Sequence, residues 1–154
     1  MSYLKHTKAR PLLWLTMVLI LLVVASVVAV YVNSAWNARH FSKAIQALEP
    51  GETVTLNDLT AFEWDAVYPI EPYTSREEIQ AITGVHSAAI VENSSEAQLQ
   101  LVFTKGDQLA CVICGLPENL GYDLQLDGKK TPKDNLELTV SRQNGVLLLQ
   151  PETV

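Results

Sequence analysis

Cys111-Val112-Ile113-Cys114 has the spacing of a redox pair or of half a zinc site. Both uses need the two sulfurs on one side of the chain, as at the opening of a helix. Here the pair lies in an apolar run, Gln108 to Cys114, with the pattern of a strand. Residues three apart in a strand point to opposite faces with α-carbons about 10 Å apart, and a disulfide tolerates no more than about 7 Å. No second C-x-x-C accompanies it. Buried, reduced thiols are therefore expected, with a bridge formed after local bending as the alternative in an oxidising compartment. His86 follows Gly84-Val85, away from any Ser or Cys motif, and reads as a surface loop residue, because no base–nucleophile–orienter set surrounds it. Asp123, Asp127 and Asp134 lack the regular spacing of a calcium loop and read as solvated charge. No phosphate-binding loop, dinucleotide fingerprint, G-x-S-x-G or H-E-x-x-H occurs. No catalytic, cofactor-binding or metal-binding residue is assigned, and no cofactor is expected. An enzyme or thiol protein using Cys111, Cys114 or His86 is the competing reading.

A different chemistry, that of surface recognition, is suggested by Trp64, Asp65, Tyr68 and Tyr73. Trp64 and Tyr68 lie four apart and share one side of a strand, with Asp65 on the other. The rings either fill a core, with Asp65 capping a turn or accepting from a backbone amide, or form an exposed aromatic patch with Tyr73 that binds a partner.

The elements that must position these residues begin with a membrane anchor. Leu12 to Val32 is 21 residues whose polar side chains are Thr16, Ser26 and Tyr31, and as a helix it is roughly 31 Å long, the thickness of a bilayer's hydrocarbon core. Trp14 near one end, with Tyr31 and Trp36 near the other, fits interfacial aromatic belts. A cleaved signal peptide is disfavoured, since the apolar run exceeds the usual length and no small-x-small site follows it. Lys5, Lys8 and Arg10 before the span outnumber Arg39 and Lys43 after it, which places the N-terminus (1–11) in the cytoplasm and the C-terminal domain outside it. Residues 33–51 read as a juxtamembrane helix or linker, with Trp36, Phe41, Ala44, Ile45 and Leu48 at approximately helical spacing before Glu49-Pro50-Gly51.

Residues 52–154 carry short, well-punctuated elements. Thr53–Leu56 is a weak strand and Phe62–Ile70 a stronger one, with Pro69 marking an edge or break. Thr74 to Gly84 is a short helix, with capping boxes available at Thr74/Glu77 or Ser75/Glu78, a left-handed Gly84 at its end, and Ile79 and Ile82 facing the core. Gln98–Thr104 and Gln108–Cys114 form one hairpin. Leu136–Val140 and Val146–Leu149 form another around Asn144-Gly145, with a long loop over Leu116–Lys133. The fold expected is α+β: an N-terminal transmembrane helix, then a small two-layer domain of mostly antiparallel strands with one or two helices.

The segment Phe62-Glu63-Trp64-Asp65-Ala66-Val67-Tyr68-Pro69-Ile70-Glu71-Pro72-Tyr73-Thr74, with the helix that follows to Gly84, resembles a family of small bacterial exported domains. Their signature is similar to W-D-x-[VL]-[YC] followed by P-Y-[ST] and a short helix ending in Gly. Many relatives have Gly where this chain has Glu71, and many are held by a lipidated Cys where this chain has a span. The resemblance implies envelope anchoring outside the cytoplasm and carries over no catalytic residue.

Charge narrows the partners. The chain holds 11 Lys+Arg and 17 Asp+Glu, net −6. Residues 1–43 hold five basic residues and no acid, leaving six basic and seventeen acidic residues beyond, net −11. So acidic a domain excludes nucleic acid as a partner. The partners expected are the lipid bilayer, through residues 12–32, and a protein with a basic surface, met by an accessory or immunity-type envelope domain that is not an enzyme.

Overall fold

The computed structural model describes residues 9–126, 130–133 and 136–151. A single helix, α1 (Ala9–Gln46), runs for 38 residues. The large apolar side chains from Leu13 to Val24 are 46–67% exposed, a continuous apolar surface that water does not tolerate on a stable soluble protein. The helix is long and apolar enough to cross a membrane. Its hydroxyls are satisfied internally: Thr16 donates to the Leu13 carbonyl at 2.9 Å and Ser26 to that of Val23 at 2.7 Å.

The upper part of α1 does not act as a spacer. Phe41 and Ile45 are completely buried, and Ser34 and Asn37 nearly so. Trp36, expected on this packing face, is instead 61% exposed, its ring 4.6 Å from that of His40. The stripe that docks is Ser34, Asn37, Phe41 and Ile45, at three- and four-residue spacing, and Trp36 falls on the far side of the helix.

The remaining elements are β1 (Thr53–Thr55), α2 (Leu56–Leu59), β2 (Ala66–Pro69), α3 (Arg76–Thr83), β3 (Leu99–Lys105), β4 (Gln108–Gly115), α4 (Pro117–Leu120), β5 (Tyr122–Leu124), β6 (Thr131–Pro132), β7 (Glu137–Gln143) and β8 (Val146–Pro151). The fold is α+β. Its strands form two sheets, in the orders β1-β7-β8-β5 and β4-β3-β2-β6, antiparallel except for β5 alongside β8. Both expected hairpins are present, and Asn144 and Gly145 take the positive φ values, 50° and 85°, that the tight turn between β7 and β8 requires. The expected long loop is shorter than its sequence suggests, because α4, β5 and β6 lie within it. Asp127 and Gly128 of that loop, and Asp134 just after it, lie outside the described residues.

One core cluster joins the two sheets to α1. It includes Phe41 and Ile45, Leu101 and Phe103 from β3, Leu138 and Val140 from β7, and Leu147 and Leu149 from β8. A second cluster lies on the other face of the β4-β3-β2-β6 sheet, where Tyr68 and Val102 meet Ile79, Val85 and Ile90. That sheet is thus covered on both sides. Gln100, which alternation places on a polar face, is 1% exposed as a result. Pro69 fits because β6 pairs only with Ala66 and Val67, leaving the end of β2 as an edge where no strand needs its missing N–H.

Local chemistry sets the helix ends. Ser75 caps α3, its hydroxyl accepting from the Glu78 amide while Glu78 accepts from the Ser75 amide, and Gly84 closes the helix at φ 71°. Thr55 and Asp58 build the same box on α2. Hydrogen bonds from the cap residues hold both carboxyls below their ordinary pKa, so the boxes persist at neutral pH and are lost as the pH falls through those lowered values. Ile82 does not reach the core. It is 48% exposed, and Thr83, four residues after the buried Ile79, takes the inward position.

Candidate functional site

β4 is the edge of its sheet, and α1 takes the place of the missing neighbour strand. Asn37 Nδ2 donates to the Ala110 carbonyl at 2.8 Å, and the Val112 amide donates to Ser34 Oγ at 3.1 Å. Higher up, Ser42 and Tyr122 share a 2.8 Å hydroxyl hydrogen bond and Gln46 Nε2 donates to the Leu120 carbonyl at 2.9 Å. β4 therefore climbs beside α1: Gln108 lines a crevice with Ser26–Asn33 at the span, and Cys114 lines one with Arg39 and Lys43. Seven strand steps separate its ends by about 23 Å. Features near Gln108 lie beside the apolar stretch of α1, and those near Gly115 lie at the end of the domain far from it.

At the distal end a crevice of about 510 Å³ opens where three segments meet. The end of β2 and the residues after it contribute Pro69 and Pro72, the start of α4 contributes Leu116 and Pro117, and β3 with the segment before it contributes Glu96 and Gln100. Glu118 and Asp123 complete the wall, and the same two acids border a second crevice of about 240 Å³ beside Asn144. Gln100 Nε2 donates to the Val91 carbonyl at 2.8 Å, while its buried Oε1 has no hydrogen-bond partner. The crevice is shaped by apolar and proline surface and walled by three acidic residues. Asn93, 1% exposed, secures the neighbouring loop by donating to the Ile70 carbonyl at 3.2 Å through its side chain and to that of Thr74 at 3.0 Å through its backbone. Tyr73, the residue after Pro72, is 66% exposed and held at φ 60°, an uncommon conformation for a residue with a side chain.

The other aromatic candidates lie elsewhere. Trp64 is 1% exposed in the core between the sheets, its ring edge-on to Phe103 at 5.5 Å and its Nε1 donating to Thr60 Oγ1 at 2.9 Å. Tyr68 is 8% exposed in the cluster under α3. Trp64 and Tyr68 do not share the face that their spacing implies: the chain bends at Asp65 before β2 begins at Ala66, so Trp64 swings to the opposite side of the sheet from Tyr68. Asp65 accepts from the Gly106 amide at 2.8 Å and thereby holds the β3–β4 turn. No joint patch of Trp64, Tyr68 and Tyr73 exists.

No family model, curated protein or solved structure matches the chain.

The thiols have separate surroundings. Cys111 is buried between β4 and α1, whereas Cys114, expected to be buried with it, is exposed at the strand's end with Gln98 Nε2 2.9 Å from its sulfur. Both are free. Burial pushes the Cys111 thiol up to about 12, and it raises that of Cys114, where the Gln98 hydrogen bond works the other way. Neither is an activated nucleophile. His86 is exposed, its Nδ1 3.3 Å from Gln80 Oε1. Among the described residues, no three His, Cys, Asp or Glu side chains are gathered as metal ligands.

Two outcomes follow for the native chain in micelles. A thiol reagent modifies Cys114 and leaves Cys111 untouched until denaturant is added, read by mass spectrometry. Alkali destabilises the fold, since a Cys111 thiol ionises near 9.0 when unfolded and keeps its proton to about 12 when folded. The unfolded state then binds fewer protons, and stability falls by up to about 1.4 kcal/mol per pH unit across that window. Urea titrations of Cys111→Ala should show lower stability at neutral pH and a shallower loss above pH 9.

The carboxylates of the distal crevice escaped sequence reasoning. They come from three separate segments, and only Asp123 belongs to a sequence pattern, the irregularly spaced aspartates. The one local signal was Leu116-Pro117-Glu118, an apolar pair followed by an acid just after an amphipathic strand.

Proposed function

We propose that this chain is a single-span membrane protein whose domain lies outside the cytoplasm and binds a basic segment of a partner protein in the distal acidic crevice, without catalysing a reaction. The observation that carries the reading is the convergence of Glu96, Glu118 and Asp123 on a crevice lined by Pro69, Pro72 and Leu116. Lys or Arg side chains supply the N–H donors and positive charge such a site lacks, and their stems suit Pro69, Pro72 and Leu116. The excess of Lys5, Lys8 and Arg10 over the basic residues after the span supports the orientation, and the resemblance over Phe62–Gly84 accords with an envelope location. An accessory or immunity-type role fits a binding domain held at a membrane.

The test is photo-crosslinking in intact cells from a reactive amino acid at position 116. A specific adduct is expected, its yield falling at least tenfold when Glu96, Glu118 and Asp123 are all changed to Lys. An adduct insensitive to this reversal removes the acidic crevice as the binding site. Glu92→Cys, at an exposed position, in a chain with Cys111 and Cys114 replaced by Ser, reports sidedness. Labelling by an impermeant reagent only after the membrane is opened overturns the orientation.

A further inference from the structure

Ser26, Val27, Ala29 and Val30 form one wall of another crevice, about 610 Å³, at the end of the domain beside the apolar stretch of α1. The opposite wall is the loop around His86 and the turn containing Asp107 and Gln108. The two walls are tied together, since the Tyr31 hydroxyl donates to the Ala88 carbonyl. Asp65 fixes the turn through the Gly106 amide, which sets the position of Asp107.

The helical wall continues into the apolar surface of α1. Val30, Val27 and Val23 follow one another at three- and four-residue spacing, 40%, 44% and 56% exposed, so an apolar track leads from the crevice down the face that meets lipid. The polar end carries an unbalanced charge. Lys105, the cation of the same turn, is paired with Glu63, while Asp107 has no ion-pair partner among the described residues.

We propose that this crevice seats one phospholipid whose headgroup carries a primary amine. Its acyl chain lies along Val23, Val27 and Val30, its ammonium group meets the Asp107 carboxylate, and its phosphate accepts from the side-chain amide of Gln108. This rests on reading α1 as a membrane span. The apolar track, continuous with the bilayer-facing surface, favours a lipid over a soluble peptide. The carboxylate favours an amine-bearing headgroup over a purely anionic one, and its hydrogen-bonding demand favours a primary amine over a quaternary one.

The full chain is reconstituted in nanodiscs containing equal phosphatidylethanolamine, phosphatidylcholine and phosphatidylglycerol, and retained lipids are counted by native mass spectrometry. One phosphatidylethanolamine per chain is expected, preferred over phosphatidylcholine by about tenfold, the worth of one charge-assisted hydrogen bond. Asp107→Asn should bring that preference close to unity, and Ala29→Phe should abolish retention by filling the crevice. Val28→Phe, on the opposite side of the helix, should retain lipid as the native chain does. Equal retention of all three lipids, or native retention in Ala29→Phe, overturns the proposal; should Ala29→Phe misfold, the exposed Asp107→Asn decides. If alkaline carbonate releases the chain from vesicles, the span reading fails and the site with it. Insertion without a retained lipid removes the site alone.

Discussion

A chain beginning at Glu52 is expected to show no cooperative unfolding transition, whereas one beginning at Asn33 unfolds cooperatively in urea. The shorter chain lacks Phe41 and Ile45, both fully buried in the core that joins the two sheets. Loss of either large apolar side chain costs about 2–5 kcal/mol, and small domains are stable by only about 5–15 kcal/mol in all. It also lacks Ser34 and Asn37, leaving the Val112 amide and Ala110 carbonyl of the β4 edge without their partners. Phe41→Ala in the full chain, in micelles, should lower unfolding free energy by about 3–5 kcal/mol, since its ring also sits edge-on to Phe103 and Tyr122. A folded domain from residue 52 onward would show that α1 is dispensable to the core.

The second large effect separates two aromatic residues that the sequence grouped together. Trp64→Ala should cost about 3–5 kcal/mol, because it leaves a cavity beside Phe103 and removes the donor to Thr60. Tyr73→Ala should change stability by no more than about 0.5 kcal/mol, as its ring is mostly in solvent. Denaturant midpoints of the two variants side by side decide the matter. Comparable losses would mean that Tyr73 packs where the structure shows it exposed.

What was legible in the sequence is what depends on near neighbours. The Ser75/Glu78 box, the left-handed Gly84 and the Asn144-Gly145 turn are each settled by residues within a few positions, and all are present. What depended on distant partners was not. Ser34 and Asn37 look like solvent-facing residues on a helix, yet they are buried because a strand edge more than seventy residues later needs a donor and an acceptor. β5 is three residues long and pairs in parallel with β8, so neither length nor alternation announces it. Trp64 and Tyr68 were placed by strand spacing, which fails once the strand starts between them. The acidic crevice was illegible for the same reason: it belongs to the assembled ends of several strands rather than to any segment.

α1 passes from the apolar span into the core with no glycine, proline or turn between Leu12 and Gln46, so the domain has no swivel. Whatever angle the helix takes in the bilayer becomes the angle of the domain. Gln46 is about 20 Å along the helix from Val32, so a change of about 10° in tilt sweeps that level sideways by roughly 4 Å. The anchor works as a lever arm, and a bilayer that grows thinner or thicker re-aims the acidic crevice without altering a contact inside the domain.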